Sequence, residues 1–455
     1  MTEMTLDIAN EFMYAPFGDT RLTERLPKVG VFLAANPEKS IWGSCESPSG
    51  AKSVYRFVDN AKVAHDKCQI PHRRETRKRI AGHDEVLIVQ DTTHLDYLAH
   101  KGAELGLYST SPSAKGILLH SALAVADGVP LGLLHQRIWT RPPGEHGKRN
   151  QRKNLPSEEK ESHKWVEGLR QSVKGLPEGT KAIFVCDREA DVYDFMREAM
   201  LAEQHFLIRA AQKNRRVDGQ TCLYQEVSSQ PVAGRCLVDV PRKQGQEPRQ
   251  AWLEIRFASV ILLPPKKGDA DLPKLKLFAV LASEATPPKG LEPVEWLLLT
   301  DLPVFDLDGA MSMLKRYRQR WLIERFHFVL KSGCRIEDLR LETFGRLANA
   351  IAIYSVIAWK LAWLLYQSRV TPEASCEPII SRLEWQVAYC VWNKGAKPPS
   401  EPPTLAEVVL LIAKIGGFKA RKSDGNPGLK TLWWGMDKLR TMVQTAQALC
   451  PSQIL

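Results

Sequence analysis

The stretch YRQRWLIERFHFVLKSG, residues 317–333, combines aromatic, basic and acidic side chains at helical spacing. It lies in the segment Met311–Lys331, whose apolar periodicity predicts one continuous helix. If that helix advances about 100° per residue, four of its polar residues fall within an arc of about 60°. They are Tyr317, Arg320, Glu324 and Lys331. A carboxylate would then share one helix face with two cations and a phenol.

A second row on the same predicted helix is apolar. Leu314, Trp321 and Phe328 repeat every seven residues, so they are expected to form a stripe that packs on the core. In an isolated helix, the neighbouring polar row is most often a solvated face with ion pairs. Beside a core stripe, the same row would surround a candidate metal ligand with cations that a phosphate could meet.

Upstream, two short and largely apolar runs each lead to an aspartate. Residues 86–90 precede Asp91 and residues 182–186 precede Asp187, and both runs are typical of buried strands. An aspartate after a strand is more often a turn or cap residue than a ligand. Asp96 competes with Asp91, but it lies five residues further on, so a continued strand would point it to the opposite face. Asp91 is therefore the preferred candidate.

The order of the predicted elements defines the fold class. Two further strands, Leu118–Ala126 and Val129–Ile138, are joined by the hairpin signal Asp127-Gly128. Together with the runs that lead to Asp91 and Asp187, and the helices around the second run, they give a β-β-β-α-β-α core. The sequence therefore predicts an α/β protein with a ribonuclease-H-like catalytic core.

The remaining segments predict additions to this core. Short β-type runs between Gly/Pro-rich turns predict an all-β insertion at about residues 215–300. Short helices bounded by turn signals predict a helical N-terminal domain over 1–70, and proline-broken helical segments predict a helical C-terminal region over 370–455. The catalytic domain would then span 71–369, with the insertion inside it.

Acids at the ends of two strands, with a third acid on a later helix, suit phosphodiester chemistry. In-line displacement at phosphorus uses two divalent ions about 3.5–4 Å apart, which stabilise the attacking and leaving oxygens. Such hard ions prefer oxygen ligands, and carboxylates offset their charge. Asp91, Asp187 and Glu324 are therefore the candidate ligands of a two-metal site.

The bulk composition suits a soluble protein that binds a polyanion. The chain has 455 residues and a formal net charge of +11, which favours a nucleic-acid partner but says nothing about the fold. Its nine cysteines are scattered without a CxxC pair, which argues against a zinc site or a disulfide framework. The longest apolar run, residues 350–365, contains Ser355 and Lys360 and predicts a buried helix, not a membrane span. We therefore expect a cytoplasmic protein.

The stretch at 317–333 also resembles a known family. It matches the YxxRWxIExFHxxxKSG pattern of DDE transposases of the insertion-sequence-four group. Shorter similarities follow in family order from about Gly18 to Phe418, which covers nearly the whole chain. They include QDTT at 90–93, LLHQ at 133–136, CDREAD at 186–191, PPKG at 287–290, WLLLT at 296–300 and IGGF at 415–418. The resemblance implies a transposase whose N-terminal helical domain binds DNA.

The resemblance implies roles for individual residues. In the family, the catalytic metal ligands match Asp91, Asp187 and Glu324. Two Mg²⁺ ions are usually bound there, and Mn²⁺ can replace them. The contacts to the DNA backbone match Tyr317, Arg320 and Lys331. Trp296 matches a tryptophan that stacks on a flipped base, although a tryptophan taken alone is more often a buried core residue.

Near the N-terminus, GDTRLTER at 18–25 and YRF at 55–57 resemble the part of the family that binds transposon ends. Arg21, Arg25 and Arg56 are the candidate DNA contacts in this region. Leu22 replaces a family arginine, so the end sequence that is recognised is expected to differ. Two basic clusters, at 72–79 and 209–216, suggest further salt-dependent contacts, with Arg209 as the candidate in the second.

The implied activity is cut-and-paste transposition. Hydrolysis at each terminal inverted repeat would free a 3′-hydroxyl, which would form a hairpin with the opposite strand before the end is inserted into target DNA. The implied partner is double-stranded DNA, bound by a homodimer that forms through the C-terminal region. No membrane is involved, and the implied location is the nucleoid in a bacterial cytoplasm. Two alternatives stay open. They are a catalytically silent DNA-binding regulator derived from a transposase, and a ribonuclease-H-like resolvase or nuclease.

Overall fold

The computed structural model divides the chain into two compact units. We call the first, which comprises Met1–Gly82, Thr92–Gly147 and Leu322–Leu455, the terminal unit. The second, His83–Asp91 with Lys148–Trp321, is called the strand unit. The residues that the structure describes are 8–45, 47–98, 105–106, 115–141, 156–219, 221–240, 247–266, 272–377, 379–421 and 423–449.

Strands and helices alternate through the middle of the described chain, and helices alone occupy its two ends. The strands are β1 (Glu85–Asp96), β2 (Gly116–Ala126), β3 (Val129–Trp139), β4 (Lys181–Cys186), β5 (His205–Arg209), β6 (Gly234–Val240), β7 (Arg249–Leu262), β8 (Leu275–Glu284) and β9 (Glu295–Thr300). The α-helices are α1 (Thr20–Ala35), α2 (Ile41–Ser44), α3 (Pro48–Val58), α4 (His65–Ile80), α5 (His163–Lys174), α6 (Tyr193–Leu201), α7 (Leu223–Ser228), α8 (Leu307–Arg318), α9 (Trp321–Phe328), α10 (Phe344–Val370), α11 (Arg382–Trp392), α12 (Leu405–Ile415) and α13 (Leu429–Leu449).

The strand unit is built on parallel strands. β1 pairs with β4 in the register Val89↔Val185, and β4 pairs with β5 in the register Val185↔Leu207. Residues 86–90 of β1 and 182–186 of β4 are all buried, as expected for strands covered on both faces. α6 connects β4 to β5, so this part of the chain is a β-α-β crossover. The mixed α/β class predicted from the sequence is confirmed.

The predicted insertion extends this sheet. β9 pairs antiparallel with β5 in the register Ile208↔Leu299, and the strand order continues through β8 and β7 to β6. The prediction of an all-β insertion is wrong in one respect, because α7 forms a helix inside it. Leu223 and Val227 lie four residues apart on α7 and are both buried, which gives this short helix an apolar face.

In the terminal unit, β2 and β3 form the predicted hairpin. Ala126 pairs with Val129 across the turn, where Asp127 and Gly128 have φ angles of +51° and +79°. A two-residue type I′ turn requires positive φ at both central residues, which explains why the Asp-Gly pair was informative. Every residue of β2 is buried, so the hairpin belongs to the core of this unit.

α10 is a core helix of the terminal unit. Its length and mean hydropathy of 1.5 would suffice for a membrane span, but 89% of the apolar window is buried inside the protein. Trp359 Nε1 donates a hydrogen bond to the Pro130 carbonyl of β3 at 2.7 Å. Asn349 Nδ2 donates to the carbonyl of Val58, the last residue of α3, at 3.0 Å. The prediction of a buried helix is confirmed.

The predicted domain boundaries remain predictions. Residues on both sides of the boundary at 370 belong to the terminal unit, as do those on both sides of the boundary at 70. The helices α11, α12 and α13 share an apolar core with the end of α10, in which Leu365, Trp385 and Leu439 are buried. The C-terminal helices therefore pack against α10 as part of one compact unit.

The prediction of one helix over Met311–Lys331 is wrong. α8 ends at Arg318, and the backbone N–H groups of Gln319 and Arg320 donate to carbonyls three residues back, at 3.0 Å each. This tight turn interrupts the helix before α9, and a π-helical turn, Val329–Gly333, follows α9. Because neither turn keeps the α-helical advance per residue, the arc calculated for the four polar residues does not hold.

The predicted apolar stripe is also wrong at two of its three positions. Leu314 is buried, but Trp321 and Phe328 are 47% and 42% exposed. The break before α9 changes the phase of the helix, so its buried face is instead formed by Leu322, Ile323 and Phe326. The seven-residue repeat in the sequence spans two helices and therefore describes neither of them.

Candidate active site

Asp91 and Asp187 lie beside each other in the strand unit. Since Val89 of β1 is the partner of Val185 in β4, two further residues along each parallel strand lead to the two aspartates. The residue before each aspartate, Gln90 or Cys186, is completely buried. Because side chains alternate along a strand, the two carboxylates point to one face, opposite to the buried pair. The sequence predicted that Asp91 ends its strand. β1 instead continues to Asp96, so Asp91 lies within the strand.

The environment of Asp187 favours a bound cation. Burial raises the pKa of the Asp187 carboxyl, and the charge of Asp91 raises it further. Two interactions lower the pKa of Asp187. The backbone N–H of Glu189 donates to Asp187 Oδ1 at 2.9 Å, and the positive charge of Arg320 acts in the same direction. Two adjacent carboxylates that repel each other are the donor set that a hard divalent ion prefers. The chemistry of this pair therefore fits the predicted metal.

The third predicted ligand, Glu324, belongs to the terminal unit. It lies on α9 and is half-buried. Among the described residues, no group of three or more His, Cys, Asp and Glu side chains is placed to hold a metal ion. Metal binding by Asp91, Asp187 and Glu324 stays a prediction.

Three of the predicted DNA contacts form one cluster in the strand unit. The rings of Trp296 and Tyr317 lie 6.0 Å apart at 59°, and the guanidinium carbon of Arg320 lies 5.9 Å from the centre of the Tyr317 ring. Trp296, in β9, is half-buried and not a core residue, so one face of its indole ring could still receive a base. Tyr317 is buried, and this burial raises the pKa of its hydroxyl despite the nearby Arg320 and Arg209.

Arg209 ends β5 close to this cluster. Its guanidinium donates to the Glu295 carbonyl at 2.6 Å. Burial lowers the pKa of Arg209, and the charges of Arg188 and Arg320 lower it further. The positive charges of Arg188 and Arg320 thus act on Arg209, and that of Arg320 also acts on Asp187.

Sequence reasoning had missed Arg188 as a site residue. It directly follows Asp187 in the CDREAD motif and is exposed at the start of a short 3₁₀ turn. Asp187 caps that turn, which fixes the backbone on which Arg188 sits. The signal that could have identified it was its position next to a candidate metal ligand.

Lys331 lies in the π-helical turn of the terminal unit. Its ammonium group donates to the His94 carbonyl at 2.9 Å and forms an ion pair with Glu337 at 3.2 Å. The Lys331 side chain is 25% exposed, so a solvent-facing part of it is available to a ligand. Glu337 is a second residue that the sequence patterns did not single out.

The three N-terminal arginines line one cleft of the terminal unit. Arg21, Arg25 and Arg56 are exposed around a cleft of about 370 Å³ that Ser53 and Asp19 also line. Asp19 caps α1, and its carboxylate pairs with Arg21 at 3.2 Å, which lowers the pKa of Asp19. Arg25 donates to Ser53 Oγ at 2.6 Å. The structure thus brings together three cations that are up to 35 residues apart in the sequence.

The other basic cluster, at 72–79, combines buried and exposed residues of α4. His72 and Thr76 are completely buried, and Arg79 pairs with Glu11 at 2.7 Å. Lys78 forms an exposed pair with Glu75 at 3.0 Å. Arg79 therefore helps to hold the terminal unit together, whereas Arg74, Arg77 and Lys78 are exposed on α4.

Comparison with known proteins adds three family models that match successive parts of the chain. The model described as "Transposase DNA-binding" matches residues 7–63, which include all three arginines of the N-terminal cleft. "Transposase DDE domain" matches residues 160–360, and "Transposase Tn5 dimerisation domain" matches residues 356–451. Asp187 and Glu324 lie inside the DDE match, whereas Asp91 precedes it.

Among solved structures, the chain is similar to a piggyBac transposase in a synaptic complex with hairpin DNA, determined by cryo-EM. The identity is 11% and the TM-score is 0.33, with 63% of this chain covered. The match spans about half of the piggyBac chain, 48%. This likeness is weak, so the assignment rests on the family models.

Proposed function

We propose that the chain is a DDE transposase, as the three matched family models indicate, and that it performs cut-and-paste transposition. We place it in the insertion-sequence-four group, where it resembles the transposase of transposon five. The observation that carries the proposal is the pair Asp91–Asp187, in which the pKa of Asp187 is raised by burial and by its acidic neighbour, beside three arginines. A divalent ion and a phosphate together would neutralise both halves of this arrangement.

Asp91 and Asp187 would hold the divalent ions, and Glu324 is proposed as the third ligand. The donor set is all carboxylate oxygen, which suits Mg²⁺, with Mn²⁺ as a substitute. When bound, the ions would stabilise the attacking and leaving oxygens of an in-line displacement. The carboxylates fix where the scissile phosphate can sit, because their positions are set by the paired strands β1 and β4.

The cations around this pair would bind the DNA backbone. The charges of Arg188 and Arg320 lower the pKa of Arg209, and a phosphate bound beside these arginines would offset that repulsion. The half-buried Trp296 beside Tyr317 offers a flat apolar surface on which an extruded base could stack. Such stacking would hold the end of the transposon open next to the aspartates.

The proposed chemistry is four successive displacements at phosphorus for each transposon end. A water oxygen bonds to phosphorus while the bond from phosphorus to the 3′-oxygen breaks, which leaves a 3′-hydroxyl and a 5′-phosphate. That 3′-hydroxyl then attacks a phosphorus of the opposite strand, which forms a hairpin and releases the flanking DNA with its own 3′-hydroxyl. A second water attacks the hairpin phosphorus, which restores the 3′-hydroxyl of the transposon end and leaves a 5′-phosphate on the other strand. The 3′-hydroxyl finally attacks a phosphorus of the target DNA and displaces a 3′-hydroxyl of the target strand. The role of the protein is to position the DNA and the ions, and no side chain forms a bond to the DNA.

The ends of the chain would supply recognition and assembly. The cleft with Arg21, Arg25 and Arg56 is proposed to bind the terminal inverted repeats, since it lies in the region matched by the DNA-binding model. The helices matched by the dimerisation model, residues 356–451, are proposed to form a homodimer on DNA. We propose that the protein works in the bacterial cytoplasm, on the nucleoid.

The decisive experiment uses the full-length chain and DNA that carries the repeats flanking its gene. Glu324→Ala and Asp187→Ala should each lower the rate of Mg²⁺-dependent end cleavage by about a thousandfold or more, because several kcal/mol of transition-state stabilisation would be lost. Binding of the end, measured by gel shift, should change little.

Glu198→Gln serves as the control, because Glu198 pairs with Arg170 on the outside of the strand unit at 2.6 Å and should not affect cleavage. If Glu324→Ala still cleaves the end, the proposed metal site is incorrect. If the wild-type chain binds the repeats without cutting them, a DNA-binding regulator becomes the better description. A gene without terminal repeats would favour a resolvase or nuclease.

A further inference from the structure

Glu337 occupies a position from which it contacts both Lys331 and β1. One of its carboxylate oxygens, Oε1, accepts a hydrogen bond from the backbone N–H of Asp96 at 2.8 Å. The same oxygen lies 3.2 Å from the ammonium nitrogen of Lys331. All three residues belong to the terminal unit. A single carboxylate oxygen thus joins the proposed DNA contact to the end of the strand that carries Asp91.

The local backbone places Glu337 with little freedom. Arg335 adopts a left-handed conformation, with φ of +48°, which turns the chain from the π-helical segment into a short 3₁₀ turn, Ile336–Asp338. Ile336 is completely buried, and its carbonyl accepts a hydrogen bond from the hydroxyl of Tyr97 at 2.8 Å. Tyr97 is itself buried at the end of β1. The turn is therefore fixed on both sides of Glu337.

Two partners hold the ammonium group of Lys331 in place. An ammonium group has three protons. One is donated to the His94 carbonyl at 2.9 Å, and another is directed to Glu337. A phosphate oxygen that approaches the exposed side would meet the third proton, with the nitrogen already held in place.

The ion pair itself adds little to stability. The Lys331 and Glu337 side chains are 25% and 28% exposed, and partly exposed pairs of this kind contribute weakly to folding. What such a pair does provide is a fixed position for a flexible lysine, which reduces the side-chain entropy lost when a ligand binds. Its expected effect is therefore on the reaction and not on the fold.

We infer that Glu337 is a positioning residue, which holds the Lys331 ammonium where the scissile strand of the DNA would pass. This inference rests on the proposed function. Glu337 does not touch the DNA or the metal ions, and acts through Lys331 alone. Removing its charge would leave Lys331 present but poorly placed for the transition state.

The test measures single-turnover cleavage of a transposon end by the full-length chain with Mg²⁺. Glu337→Gln keeps the shape and an acceptor for the Asp96 N–H but removes the charge that holds Lys331. The cleavage rate should fall by between about tenfold and a hundredfold, as for other small misplacements of a catalytic group. Affinity for the end should stay unchanged or rise slightly, because a negative charge has been removed.

A double-mutant comparison separates positioning from a general structural role. The cycle compares Lys331→Ala, Glu337→Ala and the double variant Lys331→Ala/Glu337→Ala. If Glu337 acts through Lys331, the double variant should cleave at the same rate as Lys331→Ala alone. Asp338→Asn is the matched control, because Asp338 lies on the same turn and pairs only at the surface with Arg335, at 2.6 Å. It should cleave at the wild-type rate.

Three outcomes would overturn the inference. One is a Glu337→Gln variant that cuts as fast as an active wild type. Another is a double variant whose loss is the product of the two single losses. The last is a lower urea midpoint for unfolding in both Glu337 variants, which would make the residue structural. A wild-type chain that does not cut at all would overturn the proposed function, and this inference with it.

Discussion

Two clusters in this protein contain the same residue types, acids and cations, but the pKa values of their acids are shifted in opposite directions. In the terminal unit, Glu11 meets His72 at 2.6 Å and Arg79 at 2.7 Å. In the strand unit, the charge of Asp91 acts on Asp187, and the charges of Arg188 and Arg320 act on Arg209. Burial alone would raise the pKa of both acids. The neighbours decide the outcome, since the pKa of Glu11 is lowered to about 2 while that of Asp187 is raised.

The Glu11 cluster is complete in itself. Leu133 donates its backbone N–H to His72 Nε2 at 2.9 Å, so Nδ1 carries the proton and donates to Glu11. Burial lowers the pKa of His72, in keeping with a neutral ring. Arg79 also stacks on Trp359, with its guanidinium carbon 4.3 Å from the ring centre. Every charge in this cluster has a partner of opposite sign.

The Asp187 cluster differs in its neighbours. The charge of Asp91 adds to burial in raising the pKa of Asp187, and the charges of Arg188 and Arg320 add to burial in lowering the pKa of Arg209. Perturbed pKa values of this kind cluster at functional sites. This contrast is why the Asp187 cluster is the one proposed to react.

The largest effect expected from this comparison is on stability. Glu11→Gln should lower the free energy of unfolding by about 2–3 kcal/mol, because it leaves the mostly buried Arg79 without its counter-charge. Urea unfolding of the full-length chain would measure this change. Glu75→Gln, which breaks the exposed pair with Lys78 on the same helix, is the control and should cost well under about 1 kcal/mol. Equal effects of the two variants would remove the distinction between the clusters.

The acid limb of the stability curve gives a second check on Glu11. Its folded pKa of about 2 lies below its ordinary value of 4.5, so its contribution is fully present above about pH 4.5. That contribution should be lost as the pH falls from about 4.5 towards about 2, when the carboxylate gains its proton. The difference in stability between the wild type and Glu11→Gln should shrink over this range, and a constant difference would contradict the assignment.

A smaller effect is expected at Arg188, in the other cluster. Arg188→Gln should weaken binding to the transposon end by about tenfold and reduce the slope of log K against log salt by about 1, as for the loss of one phosphate contact. Stability should be unchanged or slightly higher, because one repulsive charge is gone. Lys181→Gln provides the control, since Lys181 is exposed at the opposite end of β4. A salt slope that is unchanged in Arg188→Gln would show that this arginine does not meet a phosphate.

The smallest expected effect is stabilisation by the metal. Adding Mg²⁺ at about ten times its dissociation constant should stabilise the wild type by about 1.4 kcal/mol. Asp187→Asn should lose this gain, which thermal unfolding at matched ionic strength can detect. Chelation should return the wild type to its starting midpoint. Equal stabilisation of the wild type and of Asp187→Asn would place the ion elsewhere.

The positions of Asp91 and Asp187 after buried strands, and the hairpin turn, could be predicted because each depends on neighbouring residues in the sequence. Asp91 and Asp187 each follow a short buried run, and the parallel pairing of those runs brings the two aspartates together. The positive φ angles of the Asp127-Gly128 turn were likewise encoded in two adjacent residues. Such features need no knowledge of distant parts of the chain.

The two wrong predictions at residues 311–331, a continuous helix and an apolar stripe, have one physical cause. The helical arc through Tyr317 and Lys331 assumed a constant rotation per residue, whereas the chain turns tightly at Gln319–Arg320 and opens into a π-helical turn after Phe328. Periodicity cannot detect such breaks, because they are stabilised by packing against other segments. The exposure of Trp321 follows from the same break.

The sequence by itself indicated the α/β class, placed two aspartates after buried strands and, through one helical motif, showed a resemblance to the DDE transposases. Only the tertiary structure decided what each charge meets. Glu337 reaches a backbone N–H that lies 241 residues away, and Glu11 reaches Arg79 across 68 residues. The sign of a pKa shift depends on such neighbours and on burial, and both arise only when distant segments pack together. For that reason the residue types alone suggested the chemistry. The tertiary structure was needed to distinguish the acidic cluster expected to stabilise the fold from the one proposed to react.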